Sequence, residues 1–172
     1  MCTNPEYRLK KEEEKRRLEA EEARKKELLM RKGKDAEIIN IEFLAGNGQT
    51  VSSVKTSEAF MIKVHFNFKI KIENPIFGLA IHHKDGAHIC GPNTQDCRYP
   101  IRELEGRAAI VLNISSLNLV PGDYVVSFVI WDSTHTYAYD WEEKSFSFTV
   151  ENPGWYKHRG YVPLDYRWEI IK

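Results

Sequence analysis

Most of this chain alternates between apolar and polar residues with a period of two, which is the pattern of β-strands. One long run extends from Phe60 to Ile72 and stops at Asn74-Pro75. Because successive side chains of a strand point to opposite faces, the alternation predicts that one face of each strand enters a core. The apolar positions assigned to that core are Ile39, Ile41, Phe43, Phe60, Ile62, Val64, Phe66, Phe68, Ile70, Ile72, Leu79, Ile81, Ala108, Ile110, Leu112, Ile114, Tyr124, Val126, Phe128, Ile130, Phe146, Phe148 and Val150.

Turn-forming sequences separate these runs. They are Lys84-Asp-Gly, Gly91-Pro-Asn, Pro121-Gly-Asp and Asn152-Pro-Gly. Glycine supplies a positive φ, proline presets φ, and Asn or Asp bonds its own backbone, so each sequence favours a turn. About seven short antiparallel strands joined in this way predict an all-β fold, an immunoglobulin-like antiparallel β-sandwich over residues 37–172.

The first 36 residues have a different composition. From Glu6 to about Lys34 the chain consists mainly of Glu, Lys and Arg with Leu, Ala and Met, which favours a helix that ends at Gly33. Its apolar residues do not keep a heptad over three repeats, so the pattern favours a solvent-exposed connector, and a dimerising helix is the alternative. We therefore expect a charged N-terminal helix over residues 1–36, followed by the sandwich.

Charge and composition exclude several classes of partner. The chain has 25 acidic and 25 basic side chains, which gives no overall attraction to nucleic acid or to anionic lipid. It has no apolar run long enough to span a bilayer and no secretory signal at its start, so we expect a cytoplasmic protein. The odd number of cysteines, Cys2, Cys90 and Cys97, favours reduced thiols, and a bridge from Cys90 to Cys97 is the alternative.

The polar faces of the strands predict a binding surface. Small residues such as Gly78 and Ala80 would make this surface concave, while aromatic and polar side chains would line it. Sugars require this combination, because their C–H faces stack on aromatic rings and their hydroxyl groups need hydrogen-bond partners. We predict that one shared hollow binds carbohydrate through His65, Asn67, His82, Ser127, Trp131, Tyr137, Tyr139 and Trp141. The alternative is that some of these aromatic residues cap the core.

The sequence gives little support for catalysis. His82, His83, Asp85, His88 and Cys90 carry ligand-capable groups, but their spacing matches no zinc motif, so no metal and no other cofactor is expected. No Ser or Cys lies in a nucleophile elbow. Paired carboxylates occur in any chain this acidic and indicate nothing. We expect a protein that is not an enzyme.

A set of short motifs resembles a known family. They are Glu73-Asn-Pro-Ile-Phe-Gly-Leu-Ala-Ile, Gly91-Pro-Asn-Thr, Leu119-Val-Pro-Gly-Asp-Tyr, Trp131-Asp, Tyr139-Asp-Trp and Tyr166-Arg-Trp. Their order and spacing resemble the C-terminal domain of Wzt-type proteins, the ATPase subunits of ABC transporters that export lipid-linked O-antigen polysaccharide. The resemblance covers roughly residues 37–172.

The resemblance implies a function and several partners. It implies a carbohydrate-binding domain that recognises the O-polysaccharide in the cytoplasm, at the inner face of the bacterial inner membrane, and works with an ATPase domain and a membrane permease. No Gly-x-x-x-x-Gly-Lys-Ser/Thr motif is present, so the ATPase domain is expected to be absent from this chain. The family also implies a homodimer that exchanges its last strand, which we place in residues 161–172. A final strand packed in its own monomer, and a sandwich that docks the transporter or a biosynthetic enzyme, are the alternatives.

Overall fold

The structure is a computed structural model that describes residues 5–154, 156–157, 160–162 and 168–170, without the side chains of residues 5–8 and 24–31. This part of the chain contains one helix and eight strands. The elements are α1 (Pro5–Arg31), β1 (Ala36–Ala45), β2 (Ser53–Lys55), β3 (Phe60–Glu73), β4 (Ile76–His83), β5 (His88–Cys90), β6 (Glu103–Ile114), β7 (Gly122–Trp131) and β8 (Ala138–Glu151).

Helix α1 is solvated along its described length. Its side chains from Leu9 to Ala23 are exposed, including the apolar Leu9 and Leu18. Lys15 and Glu19 form an i,i+4 ion pair of 3.7 Å, the kind of contact that supports an exposed helix. No described helix is both long enough and apolar enough to cross a membrane.

The strands form two packed sheets. One has three strands in the order β1-β3-β6, and the other has five in the order β2-β8-β7-β4-β5. All strand pairs are antiparallel except the short parallel pair of β2 with β8. This arrangement confirms the predicted immunoglobulin-like antiparallel β-sandwich preceded by a charged helix.

Apolar side chains from both sheets fill the space between them. From Phe60 to Phe68 in β3 and from Tyr124 to Ile130 in β7 the even-numbered residues are buried, for example Val64 and Val126, while their odd-numbered neighbours are partly exposed. Phenylalanine rings make much of the contact between the sheets: the centroids of Phe60 and Phe148 are 4.9 Å apart. The core therefore sets which side chains of each strand are left to face outward.

Three of the residues assigned to the core are exposed instead, and one of them is Ala108 in the edge strand β6. The other two are isoleucines. Ile39 is 51% exposed and Ile70 is 50% exposed. Each lies at a bulge, where the register shifts between Ile38 and Asn40 or between Phe68 and Ile72. The one extra residue in β1 reverses its alternation, so Ala36 and Ile38 are buried before it and Ile41 and Phe43 after it. In β3 the extra residues turn Ile70 outward, and the original parity returns at Ile72.

A buried carboxylate lies beside the bulge of β1. Asp140 in β8 is 2% exposed, and its Oδ2 accepts a hydrogen bond of 2.7 Å from the amide of Ile38. Burial raises the pKa of Asp140, although this hydrogen bond and the charge of Lys32 act in the opposite direction. The contact links β8 of the larger sheet to β1 of the smaller one.

The predicted final strand falls largely outside the described residues. Leu164 and Tyr166, which the pattern placed on one side of that strand, are among these residues. The described residues 168–170 are not in a strand, and Trp168 is 92% exposed. The expected strand exchange therefore stays a prediction.

Candidate functional site

The predicted site residues lie on two opposite outer faces of the sandwich. His65 and Asn67 belong to β3 of the three-stranded sheet, whereas Ser127 and Trp131 belong to β7 of the five-stranded sheet. Each sheet directs its outward side chains away from the other sheet. The prediction that all eight residues line one shared hollow is therefore wrong, because parity identifies outward residues without saying which sheet carries them.

The outer face of the three-stranded sheet carries ion pairs. His65 Nε2 lies 3.0 Å from Glu42 Oε2, and Lys63 Nζ lies 3.7 Å from the same oxygen. The hydrogen bond from His65 is the main cause of the lowered pKa of Glu42, and the nearby charges of His65 and Lys63 add to it. The polar group of His65 is thus already engaged within its own sheet.

The outer face of the five-stranded sheet is concave. It contains an open cavity of about 410 Å³, which we call the hollow. Strands β4, β7 and β8 contribute most of its lining, together with the segment before Thr94 and the loop after Trp131. Its lining residues are Gly78, Leu79, Ala80, Gly91, Asn93, Ser127, Phe128, Val129, Trp131, His135, Ala138, Trp141, Glu142 and Glu143.

Small side chains keep the floor of the hollow low. Gly78 and Ala80 pair with Val129 and Ser127 across the β4–β7 ladder. A Cβ atom added at Gly78 would lie 3.1 Å from Val129 Cγ1 and 3.9 Å from Trp131 Cδ1. The missing side chain at Gly78 therefore leaves space beside the Trp131 indole.

The two indole rings form walls of the hollow. Trp131 ends β7, and Trp141 lies opposite Val129 in the β7–β8 register. Both are half-buried, so each ring keeps an accessible part. Lys32, just after α1, places its Nζ 5.4 Å from the centroid of the Trp141 ring and 2.8 Å from Glu142 Oε1. The end of the helix thus reaches the rim of the hollow.

A tightly bonded loop brings His135 to the same place. Asp132 Oδ1 accepts hydrogen bonds of 2.9 Å from the amides of both Thr136 and Tyr137. The other carboxylate oxygen accepts from the hydroxyls of Thr134 and Thr136. Partial burial opposes ionisation of Asp132, but these hydrogen bonds outweigh it and lower its pKa. The loop holds the His135 ring 6.2 Å from that of Trp131.

Polar groups surround the hollow. Ser127 Oγ accepts a hydrogen bond of 2.9 Å from the amide of Lys144, which leaves its hydroxyl hydrogen for another acceptor. The Asn93 side chain bonds Asp96 through both its amide oxygen and its amide nitrogen, which fixes its orientation. Burial opposes ionisation of Glu142, yet hydrogen bonds from Lys32 and Ser145 lower its pKa. The rim thus offers both donors and acceptors in fixed positions.

Besides His65 and Asn67, three other predicted residues lie outside the hollow. His82 is on the same outer face, but its ring contacts that of His88 at 4.9 Å, and burial lowers its pKa, which favours the neutral imidazole. Tyr137 and Tyr139 form an edge-to-face pair at 4.8 Å. Tyr139 also packs against the core, and burial raises its pKa. These tyrosines stabilise the end of the sandwich near the loop.

Sequence reasoning missed several lining residues. Asn93 lay in a segment that was interpreted as a turn and not as part of the site, and His135 lay between the selected Trp131 and Tyr137 but was not itself selected. Glu142 and Glu143 belong to a stretch where β8 is irregular, since its register with β7 shifts between Val126 and Phe128. The sequence did contain a signal for Asn93. It follows Gly91-Pro92, and such a turn often presents a polar side chain.

The histidines weighed as metal ligands have other contacts. His83 Nδ1 lies 3.0 Å from Asp85 Oδ1, and Tyr161 donates a hydrogen bond of 2.6 Å to Asp85 Oδ2. The hydrogen bond from Tyr161 is the largest of the influences that lower the pKa of Asp85 to about 2. Among the residues that the structure describes, no group of three or more His, Cys, Asp or Glu side chains is placed to hold a metal ion.

The fold and the hollow define a β-sandwich with a concave, aromatic-walled outer face. The family model of the Wzt C-terminal domain matches residues 31–164, and the chain belongs to this family. A crystal structure of the C-terminal domain of wzt is similar in fold, with a TM-score of 0.65 and 17% identity over 80% of this chain and 84% of that chain.

A weaker likeness is to an immunoglobulin-like protein from Pseudomonas aeruginosa. Its TM-score is 0.37 at 15% identity, over 67% of this chain and 96% of that protein. No curated protein matches the sequence.

Proposed function

We propose that this chain is a non-catalytic carbohydrate-binding domain that recognises lipid-linked O-antigen polysaccharide for export by an ABC transporter. The hollow on the five-stranded sheet would hold the glycan. The observation that carries the proposal is the pair of half-buried indole rings, Trp131 and Trp141, beside a floor of small residues.

The chemistry of the hollow suits a sugar better than a purely apolar ligand. An indole ring provides a flat surface for the C–H groups of a pyranose. Ser127, Asn93 and the carboxylates of Glu142 and Glu143 lie beside these rings and can replace the water that sugar hydroxyls lose. Because the hollow is open, a long polymer can pass through it without threading its end.

Membership of the Wzt C-terminal domain family supports the wider assignment. In this proposal residues 37–172 bind the glycan, and residues 1–36 connect them to an ATPase domain. The complex would include a membrane permease and would act in the cytoplasm at the inner face of the bacterial inner membrane. A homodimer would present two such sites, which raises the effective concentration of a weakly bound polymer.

Titration with the O-polysaccharide of the organism that encodes the protein tests this proposal. The polymer is released by mild acid, and binding is followed by calorimetry and by tryptophan fluorescence. We expect Trp131→Ala to raise Kd about tenfold, which corresponds to a loss of roughly 1.4 kcal/mol. The matched control is Asn67→Ala, a half-buried residue on the opposite outer face, which should leave Kd unchanged.

The outcome also separates carbohydrate binding from protein docking. If the unaltered protein shows no response at millimolar glycan, the carbohydrate proposal fails and docking of a transporter or biosynthetic protein takes its place. Equal losses in Trp131→Ala and Asn67→Ala would show that the hollow is not the binding face.

A further inference from the structure

We propose that a second sugar subsite adjoins the hollow, so that the domain binds consecutive residues of one polysaccharide chain. The second site is an open cleft of about 320 Å³, which we call the side cleft. It is lined by residues that include Ile76, Thr94, Arg98, Tyr99 and Ser133. This inference rests on the proposed function, because it extends the same ligand beyond the hollow.

The side cleft lies next to the hollow, because neighbouring residues line the two cavities. In β4, Gly78 lines the hollow and Ile76, two residues away on the same outer face, lines the side cleft. Ile76 also pairs directly with Trp131 across the β4–β7 ladder. Two residues of a strand span roughly 7 Å, comparable to the length of one pyranose unit. Trp131 thus stands at the boundary between the two cavities.

Two loops also contribute neighbouring residues to both cavities. Asn93 lines the hollow and the next residue, Thr94, lines the side cleft. On the other side, His135 lines the hollow and Ser133, in the same loop, lines the side cleft. A chain of sugars lying over Trp131 would therefore pass between these two loops from one cavity to the other.

The side cleft has the groups that a sugar needs. Tyr99 is 62% exposed, which is unusual for a large aromatic ring and leaves its surface available for stacking. Arg98 supplies several N–H donors beside it, and the exposed Ser133 adds a hydroxyl group. The combination of one aromatic surface with polar groups matches that of the hollow.

The loop that carries Tyr99 is fixed by its own backbone. The amide of Tyr99 donates a hydrogen bond of 2.9 Å to the carbonyl of Thr94, and the amide of Arg98 donates one of 3.0 Å to Gln95. The amide of Thr94 in turn donates to the carbonyl of Phe77 in β4, at 3.0 Å. A ring held in this way loses little backbone entropy when a ligand stacks on it, which favours binding.

Binding of O-polysaccharide fragments of graded length tests the second subsite. The fragments are released by mild acid and fractionated by size, and Kd is measured for each fraction. Trp131→Ala should weaken every length. Tyr99→Ala should leave the shortest fragments unaffected and raise Kd about fivefold for longer ones, whereas Tyr99→Phe should retain the affinity for long fragments. Amide chemical shifts of Thr94 and Ser133 should move only with the longer fragments.

The two proposals fail in different ways. If Tyr99→Ala has the same effect on all lengths, or none, while Trp131→Ala weakens binding, the second subsite is wrong and the hollow alone binds sugar. If no fragment binds the unaltered protein, the carbohydrate function itself is wrong. Because Tyr99 is exposed, the melting temperature of Tyr99→Ala should match that of the unaltered protein, which verifies that the variant is folded.

Discussion

At the scale of single residues, Gly78 determines whether the hollow stays open. Its outward side is bordered by Val129, Asn93 and Trp131, all within 4 Å of the position that a Cβ atom would occupy. Any larger side chain there would occupy the space beside the indole ring. In the proposed function, the affinity of the hollow for a glycan would therefore depend on a residue that itself offers no side-chain group to the ligand.

We predict that Gly78→Leu abolishes glycan binding without unfolding the protein. The new side chain fills the hollow, and crowding against Val129 costs about 1–3 kcal/mol of folding free energy. The matched control is Ala109→Leu, which adds a similar side chain to an exposed position on the outer face of the other sheet. Calorimetric titration measures the Kd for the glycan, and urea unfolding measures the free energy of unfolding. Retained binding in Gly78→Leu would place the ligand elsewhere.

Single residues also show how far the sequence could predict the site. Parity placed Ser127 and Trp131 on an outward face, and Trp141 was selected from the aromatic residues between Trp131 and Trp141; the structure brings all three into the hollow. Parity also predicted that His65 faces outward. The structure places His65 in the three-stranded sheet, which does not carry the hollow. The order of strands within a sheet follows from long-range pairing, which a local pattern does not contain. The period of two along a strand therefore predicts which way a side chain points, but not which residues lie beside it.

At the scale of elements, the bulges limit prediction. The alternation in β7 is regular, and its buried and exposed residues follow the sequence. In β1 and β3 a register shift exposes Ile39 and Ile70, although both are as apolar as their buried neighbours. The partners that accommodate these shifts, such as the carboxylate of Asp140 at Ile38, are distant in sequence. The sequence thus predicted the strands but not their irregular positions.

The loop between β7 and β8 gives a prediction at this scale. We expect Asp132→Ala to weaken glycan binding and to reduce stability at pH 7 by about 1–2 kcal/mol, because two amides and two hydroxyls lose an ionised acceptor. Hydrogen exchange should become faster at the amides of Thr136 and Tyr137. Ala109→Leu, which leaves this loop intact, serves as the control, and unchanged exchange in Asp132→Ala would contradict the prediction.

The contribution of Asp132 should depend on pH in a defined direction. Its pKa in the folded protein lies below the ordinary value of about 3.9 for an aspartate. The stabilisation is therefore present above pH 4 and is lost as the pH falls through the folded pKa. Urea midpoints of the unaltered protein and of Asp132→Ala should thus converge as the pH falls below about 4 and through the lowered pKa. Midpoints that stay equally far apart from pH 7 to pH 2 would show that the ionised carboxylate is not the stabilising group.

At the scale of the whole molecule, the two outer faces have different chemistry. One carries paired charges around Glu42, and the other carries the hollow and the side cleft. The charges of the chain balance, so the molecule as a whole has no long-range attraction for a charged polymer. In the proposed function, recognition would therefore rest on stacking and hydrogen bonding within the hollow.

The last prediction concerns the state of association. We expect the intact chain to be a dimer in light scattering, and the chain ended after Val162 to be a monomer with the sandwich intact. Trp168 and Ile170 are 92% and 88% exposed, and burying such side chains against a second copy would favour association. Tyr161 retains its bonds to Asp85 and Val120 in the shortened chain, so the anchor of this segment is preserved.

Removal of residues 1–31 is the matched control for association. Because the described side chains of α1 are exposed, a helix-mediated dimer would dissociate on this deletion, whereas a dimer held by the C-terminal segment would persist. If the chain that ends after Val162 is still a dimer, strand exchange by the C-terminal segment is contradicted. An intact chain that is monomeric, and that loses stability on the same truncation, would show that the final segment packs within its own monomer. The pair of truncations therefore assigns the dimer contact to one end of the chain.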